Sequence, residues 1–103
     1  MTLNNYETVY ILKPDTNEEK NLSLVNEYKS LIKQNGGKNI FIQHRGRHNL
    51  KYNINNYYDG IYVQMNYEGN GYIVKIIEKS MKLNEYVIRH LTTRQDILQG
   101  IKL

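Results

Sequence analysis

Residues 6–13 alternate in polarity and are rich in β-branched and aromatic side chains, a pattern that predicts a strand. Tyr6, Tyr10 and Leu12 fall on one of its faces, Val9 and Ile11 on the other. A strand with apolar groups on both faces is expected in the middle of its sheet. Pro14, which has no ladder donor, ends it. Thr16 is expected to open a helix, with Glu19 three residues on completing a capping box. Leu22, Val25, Tyr28, Leu31 and Ile32 give that helix one buried face, and Asn35, Gly36 and Gly37 supply a left-handed stop. Residues 38–51 are strand-like again, with Ile40 and Ile42 on one face and Phe41 on the other. Gly46 inside that run predicts a bulge or a turn.

Residues 60–67 make a third strand, with Ile61, Val63, Met65 and Tyr67 facing one way and Tyr62, Gln64 and Asn66 the other. Gly69 or Asn70 caps a second helix whose stripe of Ile73, Ile76, Ile77 and Met81 is the clearest in the chain. Residues 87–93 form the fourth strand, and from Gln95 on the pattern supports no more than one helical turn. The order is β-α-β-β-α-β. Right-handed crossovers then place both helices on one face of a four-stranded antiparallel sheet, an α+β sandwich of the ferredoxin-like kind. The other face is left open, and a partner would bind there. No linker, repeat or long charge block divides the sequence, so residues 1–103 read as one domain.

Composition narrows the function. With 103 residues and no cysteine, the chain has room for one core and none for disulfides, thiolate metal sites or a cysteine nucleophile. A net charge of +4 favours a polyanionic partner. No apolar run approaches the roughly 20 residues of a membrane helix, so no membrane partner is expected. The first seven residues lack the layout of a signal or transit peptide. Residues encoded by AT-rich codons are abundant, with 14 Asn, 12 Ile, 10 Lys and 10 Tyr, which points to an organellar genome or a base-biased bacterium.

Catalytic chemistry finds little support. His44 and His48 lie four apart, but on a predicted strand and without the glutamate of a zinc helix. Ser23, Ser30 and Ser80 all fall on predicted helices and in no nucleophile elbow. Gly69 and Gly71 are not followed by the lysine of a phosphate loop. Glu18 with Glu19, or Glu7 with Glu68, could pair as carboxylates, but first-turn glutamates more often complement a helix dipole. The expectation is a non-enzyme with no cofactor and no metal.

One segment stands out: Gln43-His44-Arg45-Gly46-Arg47-His48-Asn49-Leu50-Lys51-Tyr52. Arg45 and Arg47 offer planar forks suited to phosphate, and Lys51 adds a point charge. Gly46 permits close backbone approach, while His48 and Tyr52 can stack on bases or ribose. Arg89, in the last strand, extends the patch, with Arg94 beyond it. The plainer alternative is a charged edge strand that resists aggregation.

Three stretches together resemble small-subunit ribosomal protein six of the bacterial and plastid type. They are Tyr6-Glu7-Thr8-Val9-Tyr10-Ile11-Leu12-Lys13-Pro14-Asp15, then Gly46-Arg47-His48-Asn49-Leu50-Lys51-Tyr52-Asn53-Ile54, and Leu83-Asn84-Glu85-Tyr86-Val87-Ile88-Arg89-His90-Leu91. His48 stands where that family commonly has a second arginine, and Asn53 where it has proline. The resemblance implies a structural constituent of the small ribosomal subunit, bound to the central domain of small-subunit rRNA. It also implies a heterodimer with small-subunit ribosomal protein eighteen and contact with other small-subunit proteins. Arg47 is the strongest residue carried over, and Arg45, His48, Lys51, Tyr52 and Arg89 complete the expected rRNA-binding set. Together with the codon bias it implies the ribosome of the plastid (chloroplast) stroma, with a bacterial cytoplasm as the alternative.

Two other readings remain at this point. A stand-alone RNA-recognition domain of the same topology would use Val9-Tyr10-Ile11 as its first-strand motif, with Tyr10 facing outward to stack on a base. Residues 59–63 lack the basic start and spaced aromatics of the matching motif. A small ferredoxin-like hydrolase would need an arginine in a glycine-rich anion loop after the first strand, where this chain has Lys13-Pro14-Asp15-Thr16.

Overall fold

The computed structural model describes residues 3–95, so the helical turn expected beyond Gln95 lies outside the described residues. The elements are β1 (Asn4–Leu12), α1 (Glu18–Gln34), β2 (Lys38–Ile54), β3 (Tyr57–Gly69), α2 (Gly71–Leu83) and β4 (Val87–Gln95). The strands lie in the order β2-β3-β1-β4, and every neighbouring pair is antiparallel. β1 is therefore interior, as its two apolar faces predict, and β2 and β4 are the edges. This is the expected ferredoxin-like α+β arrangement.

One face of the sheet and both helices share a single core. Tyr10 and Leu12 of β1 and Val63, Met65 and Tyr67 of β3 pack with Leu24, Val25, Tyr28 and Ile32 of α1. Ile73, Ile77 and Met81 of α2 close the same cluster. The period-2 alternation of the strands meets the 3.6-residue stripes of the helices on this face alone. Tyr10 is 0% exposed and meets the Tyr28 ring edge-on, with centroids 5.4 Å apart. Neither phenol oxygen has a partner among the described residues. Burial therefore holds both hydroxyls well above the usual tyrosine range, and the adjacent Tyr28 reinforces the effect on Tyr10. A polar inclusion lies beside them, where Thr8 Oγ1 is 3.0 Å from the Tyr67 hydroxyl and 2.8 Å from Thr92 Oγ1.

The start of α1 departs from expectation by one residue. Asn17, not Thr16, is the cap, accepting the Lys20 N–H at 2.7 Å. The Thr16 N–H is committed to the Lys13 carbonyl in the turn around Pro14, so Thr16 lies before the helix. That shift leaves no capping box, because Lys20 rather than Glu19 sits three residues after the cap. The buried stripe is the expected one at Val25, Tyr28 and Ile32, with Leu31 partly buried against it, and differs at its first member. Leu24, Tyr28 and Ile32 follow one another at four-residue steps beneath the sheet, whereas Leu22 is 49% exposed. The C-terminus behaves as predicted. Gly36, at φ +94°, lets the Gly37 N–H reach the Ile32 carbonyl and the Gly36 N–H reach that of Lys33, a Schellman ending. Asn70 caps α2 by accepting the Ile73 N–H.

β2 and β3 form a hairpin longer than the alternation suggested. Asn55 and Asn56, at φ +51° and +69°, make the two-residue type I′ turn whose twist matches paired strands. Within the hairpin His44 pairs with Val63 and Gly46 with Tyr62, so Arg45 is one residue too many and the strand bulges. Gly46, at φ +79°, makes that bulge possible.

Candidate nucleic-acid interface

Strand register decides which side chains reach the uncovered face. Val9 pairs with Gln64 and Leu91, Ile11 with Tyr62 and Arg89, and Glu7 with Asn66. Gln43 pairs with Gln64, so it joins them from the edge strand. These positions alternate with the core residues Thr8, Tyr10 and Leu12 and so point away from the helices.

This face has two unlike halves. In the polar half Arg45, thrown out by the bulge, donates from Nε (3.1 Å) and Nη2 (2.6 Å) to Gln64 Oε1, and from Nη2 to Gln43 Oε1 (2.9 Å). Gln64 Nε2 in turn donates to Glu7 Oε2 and Asn66 Oδ1, both at 3.0 Å. The guanidinium is thus held on one side and exposed on the other, a geometry able to receive a phosphate. In the apolar half the strands line an open cavity of about 350 Å³. It is lined by Val9 and Ile11 of β1 and by His90 and Leu91 of β4, with Tyr62 of β3 beside them. The distal part of β2 reaches over the sheet to supply Leu50 and Ile54, and its Lys51 and Tyr52 stand at the same cavity with Arg89.

The expected site residues divide accordingly. Lys51, Tyr52 and Arg89 come together around the cavity, and Tyr52 is 73% exposed. His48 lies between the two halves. Its ring is edge-on to Tyr62 with centroids 5.5 Å apart, and its Nε2 donates to the Arg45 carbonyl at 2.7 Å. Arg47 parts from the rest: it pairs with Ile61, a residue packed on the core side, and its Nη2 donates to the Pro14 carbonyl at 2.6 Å. Sequence reasoning missed the Gln43–Arg45–Gln64–Glu7 network, which only cross-strand register assembles. It also missed the cavity, although Val9 and Ile11 were its signal: apolar side chains on the face that the helices leave bare.

An open antiparallel sheet with a basic edge, backed by two helices, defines a ferredoxin-like binding module. Tyr10 lies inside the core, so the outward ring that the RNA-recognition reading requires is not available. Comparison with known proteins takes the assignment further. The Ribosomal protein S6 family model matches residues 5–94. The chain is 60% identical over 93 residues to small ribosomal subunit protein bS6c of Pyropia yezoensis, covering 90% of this chain and 85% of that one. It is 53% identical over 103 residues to the bS6c protein of Gracilaria tenuistipitata var. liui, covering 100% of both. In fold it is similar to the crystal structure of 30S ribosomal protein S6 from Thermotoga maritima, with a TM-score of 0.87 at 24% identity, over 98% of this chain and 95% of the other. The chain belongs to the ribosomal protein S6 family, and its plastid-type relatives place it with the plastid members. It is a structural component of the small ribosomal subunit and not an enzyme, with rRNA and other ribosomal proteins as its partners.

Proposed function

We propose that this chain, acting as one domain over residues 1–103, binds the central domain of small-subunit rRNA as a heterodimer with small-subunit ribosomal protein eighteen. The observation that carries the proposal is the concentration of exposed cationic and aromatic groups on the β2 edge and the adjoining open face of a ribosomal family member. Arg45 and His48 present the polar half to rRNA. Lys51, Tyr52 and Arg89, around the cavity, stand where rRNA and the protein partner meet. Arg47, anchored on the Pro14 carbonyl, reaches phosphate from the end of the sheet while tying the β2 arm to the loop after β1. The plastid stroma is the proposed site of action, supported by bS6c relatives at 50–60% identity against 49% for the bS6 protein of the cyanobacterium Trichodesmium erythraeum. Sedimentation of a plastid lysate tests this: the protein should co-migrate with small ribosomal subunits at low salt. Recovery only at the top of the gradient would refute it.

A further inference from the structure

Gln64 is the hub of the polar half of the open face. β3 lies between β1 and β2, so a β3 side chain can reach both neighbours, and Gln64 does so. Its Oε1 accepts from Arg45 Nε (3.1 Å) and Nη2 (2.6 Å) on one side. Its Nε2 donates to Glu7 Oε2 and Asn66 Oδ1, both at 3.0 Å, on the other. The amide can face only one way: turned over, its NH2 would meet the guanidinium donors and its oxygen two acceptors. Arg45 is thereby gripped along its Nε–Nη2 edge, while Nη1 has no hydrogen-bond partner among the described residues. We propose that Gln64 is a positioning residue for phosphate recognition: it anchors Arg45 to Glu7 and leaves Nη1 to a backbone phosphate of rRNA. The proposal rests on the reading of Arg45 as an rRNA contact and deepens it.

The neutrality of this amide matters. A carboxylate bonded directly to Arg45 would neutralise the charge that attracts phosphate. With Gln64 between them, the guanidinium and the Glu7 carboxylate are joined through hydrogen bonds rather than as a direct ion pair. Anchoring matters as much. A loose arginine on this exposed edge would reach phosphate only by losing the freedom of a long side chain on binding. Arg45, exposed but held by Gln64 and by Gln43 Oε1 at 2.9 Å, is ordered beforehand.

The test follows the salt dependence of binding to central-domain rRNA by the full chain together with small-subunit ribosomal protein eighteen. Circular dichroism gives each variant's folded fraction. Arg45→Ala, the reference, should lower the salt slope by about one unit. Gln64→Glu keeps the shape and both bonds to the guanidinium but pairs it with a charge, so the slope should fall by about as much. Gln64→Leu removes the anchor and leaves Arg45 charged. Its slope should hold while affinity falls about 2- to 10-fold, the scale of ordering one long side chain on binding. A wild-type slope in Gln64→Glu would overturn the role of Gln64. So would wild-type affinity per folded molecule in Gln64→Leu with only stability reduced, the mark of a purely structural link. An unchanged slope in Arg45→Ala would instead overturn the reading of Arg45, and the role of Gln64 with it.

Discussion

Neighbouring residues of β1 live in opposite environments. Thr8, Tyr10 and Leu12 are sealed beneath α1 and α2, whereas Glu7, Val9 and Ile11 belong to the open face. The covered face is continuous, because twelve buried apolar side chains from four elements form one cluster. The open face is divided, with a hydrogen-bonded polar network at one end and an apolar cavity at the other. The difference teaches that the strand spends one side chain of each pair on stability and leaves the other for recognition. Substitutions on the two faces should therefore fail in different assays.

The largest expected effect lies on the covered face. Ile73→Asp would place an unpaired carboxylate under α2 at a position 1% exposed, and should unfold the protein outright. A cooperative thermal transition surviving in that variant by circular dichroism would break the contrast between the faces. Thr8→Val comes next. It removes the link between the Tyr67 and Thr92 hydroxyls and should cost about 1–3 kcal/mol in urea titrations. No loss of rRNA affinity should accompany it beyond the fraction unfolded.

On the open side the effects move from stability to binding. Arg45→Ala should leave stability within about 0.5 kcal/mol, since the side chain is exposed. It should lower the salt slope of rRNA binding by about one unit, the signature of one lost phosphate contact. Arg47→Ala should lower that slope by about the same amount, and in addition loosen the β2 arm by removing the hydrogen bond to Pro14. An unchanged slope in both variants, with the fold intact, would move the RNA surface elsewhere.

The smallest effect at neutral pH belongs to the buried tyrosine pair. Tyr10→Phe should be nearly neutral, because the hydroxyl it removes has no partner among the described residues. Alkali should expose the difference. Below pH of about 10 both tyrosines are protonated whether the chain is folded or not. Above it the unfolded phenols ionise while the buried ones keep their protons, so stability falls as pH rises. Tyr10→Phe and Tyr28→Phe should each flatten that decline, and a wild-type stability profile flat above pH about 10 would contradict the burial argument.

The amino-acid sequence by itself determined the element order, the interior place of β1, the α2 stripe and the Gly36 stop. Each depends on periodicity or on one residue's local backbone preference, which act over a few neighbouring positions. The start of α1 shows where local signals run out. Thr16 and Asn17 are both good caps, and only the turn at Pro14, which takes the Thr16 N–H, chose between them. The same holds for the recognition surface. Arg45 and Arg47 are equivalent in sequence, two residues apart in one basic run. The bulge at Gly46 and the register with β3 sent the first to the Gln64 network and the second to the Pro14 carbonyl. The cavity likewise exists only because the distal part of β2 folds over Val9 and Ile11, residues some forty positions earlier in the chain. Chain periodicity can say which side of a strand a residue occupies, but what lies across from it is decided by strands brought together from distant parts of the chain.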